Sequence, residues 1–186
     1  MTGNTNDGTI DVEIDEMTPC LRKNDTNEII STHFEEVEFQ KYKGFKFDWS
    51  KKANEGSKLE ALYAEGDNRI QGLLSYRVEK VDQAVVVELV ESSMHNNGYY
   101  LGDSKLKEYT GVGAHLFAQA IKHSYEAGYD GFVYFKAKTK LIGYYQKELK
   151  AKVMSNQTMY IDEEEAKKLF IKYYGEEEYK RYATGN

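Results

Sequence analysis

The run Ala84-Val85-Val86-Val87-Glu88-Leu89-Val90 constrains this chain more than any other stretch. Its density of β-branched residues predicts a central strand covered on both faces, because such side chains favour a buried pleated surface. The residues C-terminal to this run narrow the topology. After a loop over 92–107, with turn chemistry at Asn96-Asn97-Gly98 and Gly102-Asp103, residues 113–127 carry Leu116, Phe117, Ala120, Ile121, Ser124 and Tyr125 at the helical period. Gly128 suits the helix stop, and Phe132-Val133-Tyr134-Phe135 reads as a short buried strand. Strand, helix and strand in this order predict a right-handed crossover joining parallel strands.

The flanks read as strands before this unit and helices after it. Leu59 to Ala64 and Ile70 to Val78 enclose the turn Glu65-Gly66-Asp67-Asn68, and Lys80-Val81-Asp82-Gln83 turns into the central strand. Residues 20–23 and 29–39 flank Asn24-Asp25-Thr26-Asn27 and predict a hairpin, with a helix over 28–38 as the alternative. Ile10, Val12, Ile14 and Met17 alternate with acidic residues, as in a half-exposed strand. Leu141 to Leu149 predicts an amphipathic helix, Lys152 to Tyr160 a final strand, and Asp162 the cap of a helix ending near Tyr174. The expected class is α/β (α+β): a mixed, mainly antiparallel central sheet containing one parallel strand–helix–strand unit, with flanking helices. One domain over 9–174 is expected, after a disordered tail at 1–8 and before a polar tail at 175–186.

Composition bounds the function. A chain of 186 residues with 40% hydrophobic content sustains one core. A net charge of −6 without a long basic run argues against nucleic acid as a partner. Lys136, Lys138 and Lys140 form a local cluster that suits a small anion or is simply a solvated loop. Cys20 is the only cysteine, so no internal disulfide is expected. The opening residues lack a secretory pattern, and no apolar run approaches the roughly 20 residues of a membrane span, so a cytoplasmic location is expected. The histidines 33, 95, 115 and 123 lack metal-ligand spacing, and no metal site is proposed from them.

Gly111 and Gly113 stand where the crossover enters its helix. Free N–H groups and the positive end of the helix dipole collect there, and glycine lets a backbone approach phosphate closely. A P-loop would need Gly-Lys-Ser/Thr, and Ala114 follows Gly113; a dinucleotide fingerprint would need a small residue where Leu116 stands. The run Glu108-x-x-Gly111-x-Gly113 resembles the Gln/Arg-x-x-Gly-x-Gly/Ala signature of the GNAT superfamily of N-acyltransferases. The resemblance covers about Leu59 to Met154 and includes Leu141 to Ala151, similar to that family's fourth-helix pattern. This sequence departs from the pattern at Glu108, at Lys150 where glycine is usual, in its longer 92–107 loop and in its first sixty residues.

The resemblance implies acetyl-CoA as acyl donor and an amine of a small molecule, peptide or protein as acceptor, with direct transfer. It places the pyrophosphate on Tyr109, Thr110, Gly111, Val112, Gly113 and Ala114, and the pantetheine beside the backbone of Leu89, Val90 and Glu91. Tyr145 matches the tyrosine that protonates the leaving thiolate, and Tyr144 beside it is counted among the coenzyme-binding residues. Glu91, at the end of the central strand, is the first candidate base and Glu88 the second, on opposite faces unless a bulge intervenes. His95 is a further candidate in the loop. The alternative is a catalytically inactive acyl-CoA-binding or protein-interaction module of the same fold. An acyltransferase acting on charged transfer RNA is a third reading, disfavoured by the acidic balance. An exposed sheet edge would suit pairing with a second copy, so a homodimer is among the expectations.

Overall fold

The computed structural model describes residues 8–15 and 20–183. Most of the expected tail at 1–8, together with residues 16–19, Met17 among them, and the last three residues, lies outside them. In chain order the elements are β1 (Leu21–Lys23), β2 (Ile29–Ile30), β3 (Thr32–Glu36), β4 (Lys58–Ala64), β5 (Ile70–Glu79), β6 (Ala84–Ser92), a short α1 (Gly98–Leu101), β7 (Tyr109–Thr110), α2 (Val112–Glu126), β8 (Val133–Lys136), α3 (Ile142–Glu148), β9 (Lys152–Ser155), β10 (Thr158–Ile161), α4 (Glu163–Tyr174) and α5 (Glu176–Ala183). The main sheet has the order β3-β4-β5-β6-β8-β10-β9, and a small sheet has the order β2-β1-β7. Every ladder is antiparallel except β6 with β8, which α2 connects. This is the mixed sheet with a parallel strand–helix–strand unit that the sequence predicts.

All nine residues of β6 are buried, as its composition requires. Its two faces meet different layers. Val85, Val87 and Val90 pack under α2 with Leu116, Phe117 and Phe170 of α4. Leu89 faces a second cluster built on Trp49, Phe45, Leu59 and Leu73, so the irregular segment 37–57 covers that side. A bulge makes this alternation irregular. Ser75 pairs with Leu89 but Tyr76 pairs with Val87, leaving Glu88 as the extra residue. Glu88 and Glu91, of opposite parity, therefore both face the 37–57 segment.

Several expectations are revised. The final strand at 152–160 is a hairpin, because Asn156 takes φ +47° and the chain reverses there. Residues 176–183 of the expected polar tail form α5, whose Tyr179 and Tyr182 pack against Phe170 and Tyr125. The hairpin at 20–30 forms, but β3 leaves it to pair with β4 in the main sheet. Residues 10–15 alternate in burial as expected, yet only Ile10 makes a sheet bridge, to Ala137. No helix among the described residues is long and apolar enough to cross a membrane.

His115 ties α2 to β3. Its Nε2 lies 2.9 Å from Thr32 Oγ1, and its ring is packed among Phe34, Tyr173 and Tyr174. Burial pushes its pKa from 6.5 down to about 3. Below pH 6.5 the unfolded chain takes up a proton that the folded chain refuses. Stability is therefore fully present above that pH and falls as pH drops towards 3, by at most ~1.4 kcal/mol per pH unit. Urea denaturation at pH 7.5 and pH 5 should show a smaller acid loss for His115→Phe than for the parent chain. Equal losses would show that His115 does not set the slope.

Candidate functional site

The site begins where β6 and β8 part. Their ladder runs from Val85–Val133 to Val87–Phe135 and ends there, while β6 continues to Ser92. The Phe132 carbonyl accepts from Val85 N (3.1 Å), whereas the Lys136 carbonyl, on the same edge of β8, accepts from Ile10 N (2.8 Å). Carbonyls four residues apart on a strand point the same way. Residues 10–15 thus enter the wedge that β6 leaves open.

Helix α3 lines that wedge with two tyrosines. The Tyr145 hydroxyl accepts from Val12 N (2.9 Å) and donates to Val12 O (3.0 Å). The Tyr144 hydroxyl does the same with Ile14 N (2.6 Å) and Ile14 O (3.1 Å). Burial pushes the Tyr144 phenol up to about 12 and the fully buried Tyr145 phenol higher still. Both therefore stay protonated at neutral pH.

The start of α2 closes the wedge from the other side. Gly111 takes φ +101° and its N–H donates to Asp15 Oδ1 at 3.0 Å. The Lys107 ammonium, itself buried, lies 2.8 Å from Asp15 Oδ2 and 3.3 Å from Glu13 Oε1. The Glu13 carboxylate also accepts from Gly98 N (3.2 Å), and Asp11 pairs with Lys138 at 2.8 Å. A Cβ at Gly113 would stand 2.1 Å from the Glu13 carbonyl oxygen, so this helix position admits only glycine against that backbone. Tyr109, Thr110, Val112 and Ala114 are buried around this seat. Glu108 turns away from it: both its oxygens meet Arg69, at 3.1 and 2.5 Å, and that guanidinium holds the carboxyl below its ordinary range.

Beside the wedge opens a cleft of about 960 Å³, lined among others by Lys46, Glu91, Tyr99, Lys138, Lys140 and Tyr144. Glu91 is 4% exposed. Its carboxylate accepts from Lys46 N (2.5 Å), Trp49 Nε1 (2.8 Å) and Phe47 N (3.3 Å). Burial raises its pKa, and the indole and peptide donors only partly offset that. Glu88 is held elsewhere, by Asn54 (2.6 Å), Ser57 (2.5 Å), Ser75 (3.2 Å) and the Arg77 guanidinium (3.2 Å). His95 binds Gln71 Oε1 at 2.8 Å and Ser93 at 3.2 Å, and burial lowers its pKa. Among the described residues no three His, Cys, Asp or Glu side chains group as a metal site.

The fold thus gathers Tyr144, Tyr145, Gly111 and Gly113 around one wedge and puts Glu91 at the adjoining cleft. It holds Glu88 in a separate polar cluster. Sequence reasoning missed Asp15, Glu13, Gly98 and Lys107. The period-two acidic residues at 11, 13 and 15 were the available signal, and they read as the wet face of a strand. Lys150, where the resembled pattern has glycine, takes φ +55°.

No protein-family model matches the sequence, and no curated protein matches it. Solved structures align with part of the chain. One is nourseothricin acetyltransferase, 16% identical over 57% of this chain and 64% of that chain, with a TM-score of 0.40. Another is Tetrahymena GCN5, 14% identical over 59% of this chain and 71% of that one, with a TM-score of 0.37. The first match spans less than two thirds of its partner's length.

Replacing Gly113 by Ala should destabilise the chain by roughly 1–3 kcal/mol, the usual cost of overpacking. Helix propensity alone would make alanine the better residue by up to ~1 kcal/mol. Denaturant unfolding separates the two: a stabilised variant would mean that residue 13 does not press on α2.

Proposed function

We propose that the chain is an acyl-CoA-dependent N-acyltransferase that moves an acetyl group from acetyl-CoA directly to an amine. The observation that carries this is a built anion seat at the mouth of a strand wedge. The Gly111 N–H and the Lys107 ammonium converge on the two oxygens of one carboxylate, that of Asp15. A carboxylate held at a glycine-led helix start marks where a coenzyme diphosphate would sit. Residues 109–114 would take the diphosphate, and the backbone of Leu89, Val90 and Glu91 would run beside the pantetheine.

The chemistry needs a neutral amine and a proton for the departing thiolate. Glu91 lines the cleft and, with its raised pKa, suits removal of the amine proton, directly or through water. Glu88 is the weaker base because four side chains already engage it. The Tyr145 phenol, protonated at neutral pH, would donate to the thiolate, with Tyr144 beside it. The second reading, an inactive binding module of the same architecture, draws on one observation: both tyrosine hydroxyls are engaged by the chain's own backbone.

Calorimetry with acetyl-CoA and thiol release with a panel of primary amines test the proposal. Binding together with turnover is expected. Glu91→Gln should lower kcat by about 10²-fold or more while coenzyme binding persists. Binding without turnover on any amine would favour the inactive module, and no binding at millimolar acetyl-CoA by the parent chain or by Glu13→Gln/Asp15→Asn would remove both readings.

A further inference from the structure

The wedge assigned to the coenzyme already holds a length of this chain, and that length matches the coenzyme group by group. Val12 and Ile14 each present one peptide N–H and one C=O to a tyrosine hydroxyl, the amide chemistry that pantetheine also carries. Asp15 places a carboxylate on the Gly111 N–H and Lys107, where a diphosphate oxygen would bond. Glu13 shares Lys107 and adds the Gly98 N–H, and its carbonyl oxygen rests against Gly113. The segment is seated rather than draped: Ile10, Val12 and Ile14 are buried, while Asp11, Glu13 and Asp15 each meet a lysine.

We propose that residues 10–15 are an intramolecular latch, a peptide stand-in for acyl-CoA that must leave the wedge before the coenzyme enters. The inference rests on the acyl-CoA reading above. Its physical basis is shared partners. The Gly111 N–H and the Lys107 ammonium cannot satisfy Asp15 and a diphosphate together, and the two tyrosine hydroxyls cannot hold residues 12–14 and also face a thioester. The latch has its one sheet bridge at Ile10 and its other polar ties are tyrosine hydroxyls, the Gly111 and Gly98 N–H groups and lysines, so release breaks few ladder bonds but must expose Ile10, Val12 and Ile14. A closed latch lowers apparent coenzyme affinity by the fraction of molecules that are open.

The test uses the full chain and Glu13→Gln/Asp15→Asn, with acetyl-CoA as the probe. Calorimetry measures affinity, and amide-resolved hydrogen exchange follows Val12 and Ile14 with and without saturating acetyl-CoA. Both amides should be protected in the free parent chain and lose protection when the coenzyme binds. The double variant should bind acetyl-CoA at least tenfold more tightly than the parent. Coenzyme binding with both amides still protected would overturn the latch and leave the acyltransferase reading standing, as would equal affinities of the two chains. Absence of binding to either chain at millimolar acetyl-CoA would remove the coenzyme reading and the latch with it. Should the double variant fail to fold, exchange on the parent chain decides alone.

Discussion

The parting of β6 from β8 after three residue pairs governs the rest of the molecule. Two parallel strands that stay paired leave no room between them. Two that diverge expose unpaired backbone inside a covered sheet, and buried backbone groups need partners. Here residues 10–15 supply part of the filling, with two tyrosine hydroxyls standing in for the missing ladder. Gly113 in the first turn of α2 makes the same gap deep enough for the backbone at Glu13 to lie against the helix.

Charge is distributed to suit that gap. Lys107 is buried, which is tolerable because two carboxylates meet its ammonium. Glu91 is buried against an indole and two peptide N–H groups, so it fastens segment 37–57 to the sheet while remaining the least solvated carboxylate on the cleft. The bulge at Glu88 brings both glutamates to one face, but their neighbours divide their tasks. Glu88 sits in a ring of hydroxyl, amide and guanidinium groups; Glu91 borders open volume. One strand thus supplies a structural carboxylate and a candidate reactive one three residues apart.

Much of the fold is legible in local pattern. The valine run names the central strand, the period of Leu116, Phe117, Ala120 and Ile121 names its helix, and Asp162 caps α4 by accepting from Glu165 N at 3.0 Å. Each of these is decided by residues close in sequence. The misses share the opposite property. Polar residues 176–183 become a helix because Phe170 and Tyr125 offer Tyr179 and Tyr182 a surface. The 152–160 segment reverses at Asn156, and its second half then takes the far edge of β8 as partner.

The sequence by itself determined the strand–helix–strand unit, the glycines at its turn and the tyrosine pair on α3, because periodicity and backbone freedom are local quantities. It also marked positions 11, 13 and 15 as a wet face. Only the tertiary structure decided what that face meets. Asp15 reaches Gly111 across 96 residues, and Val12 reaches Tyr145 across 133. Contacts over such separations depend on where β6 and β8 part, and no pattern within either segment records that distance.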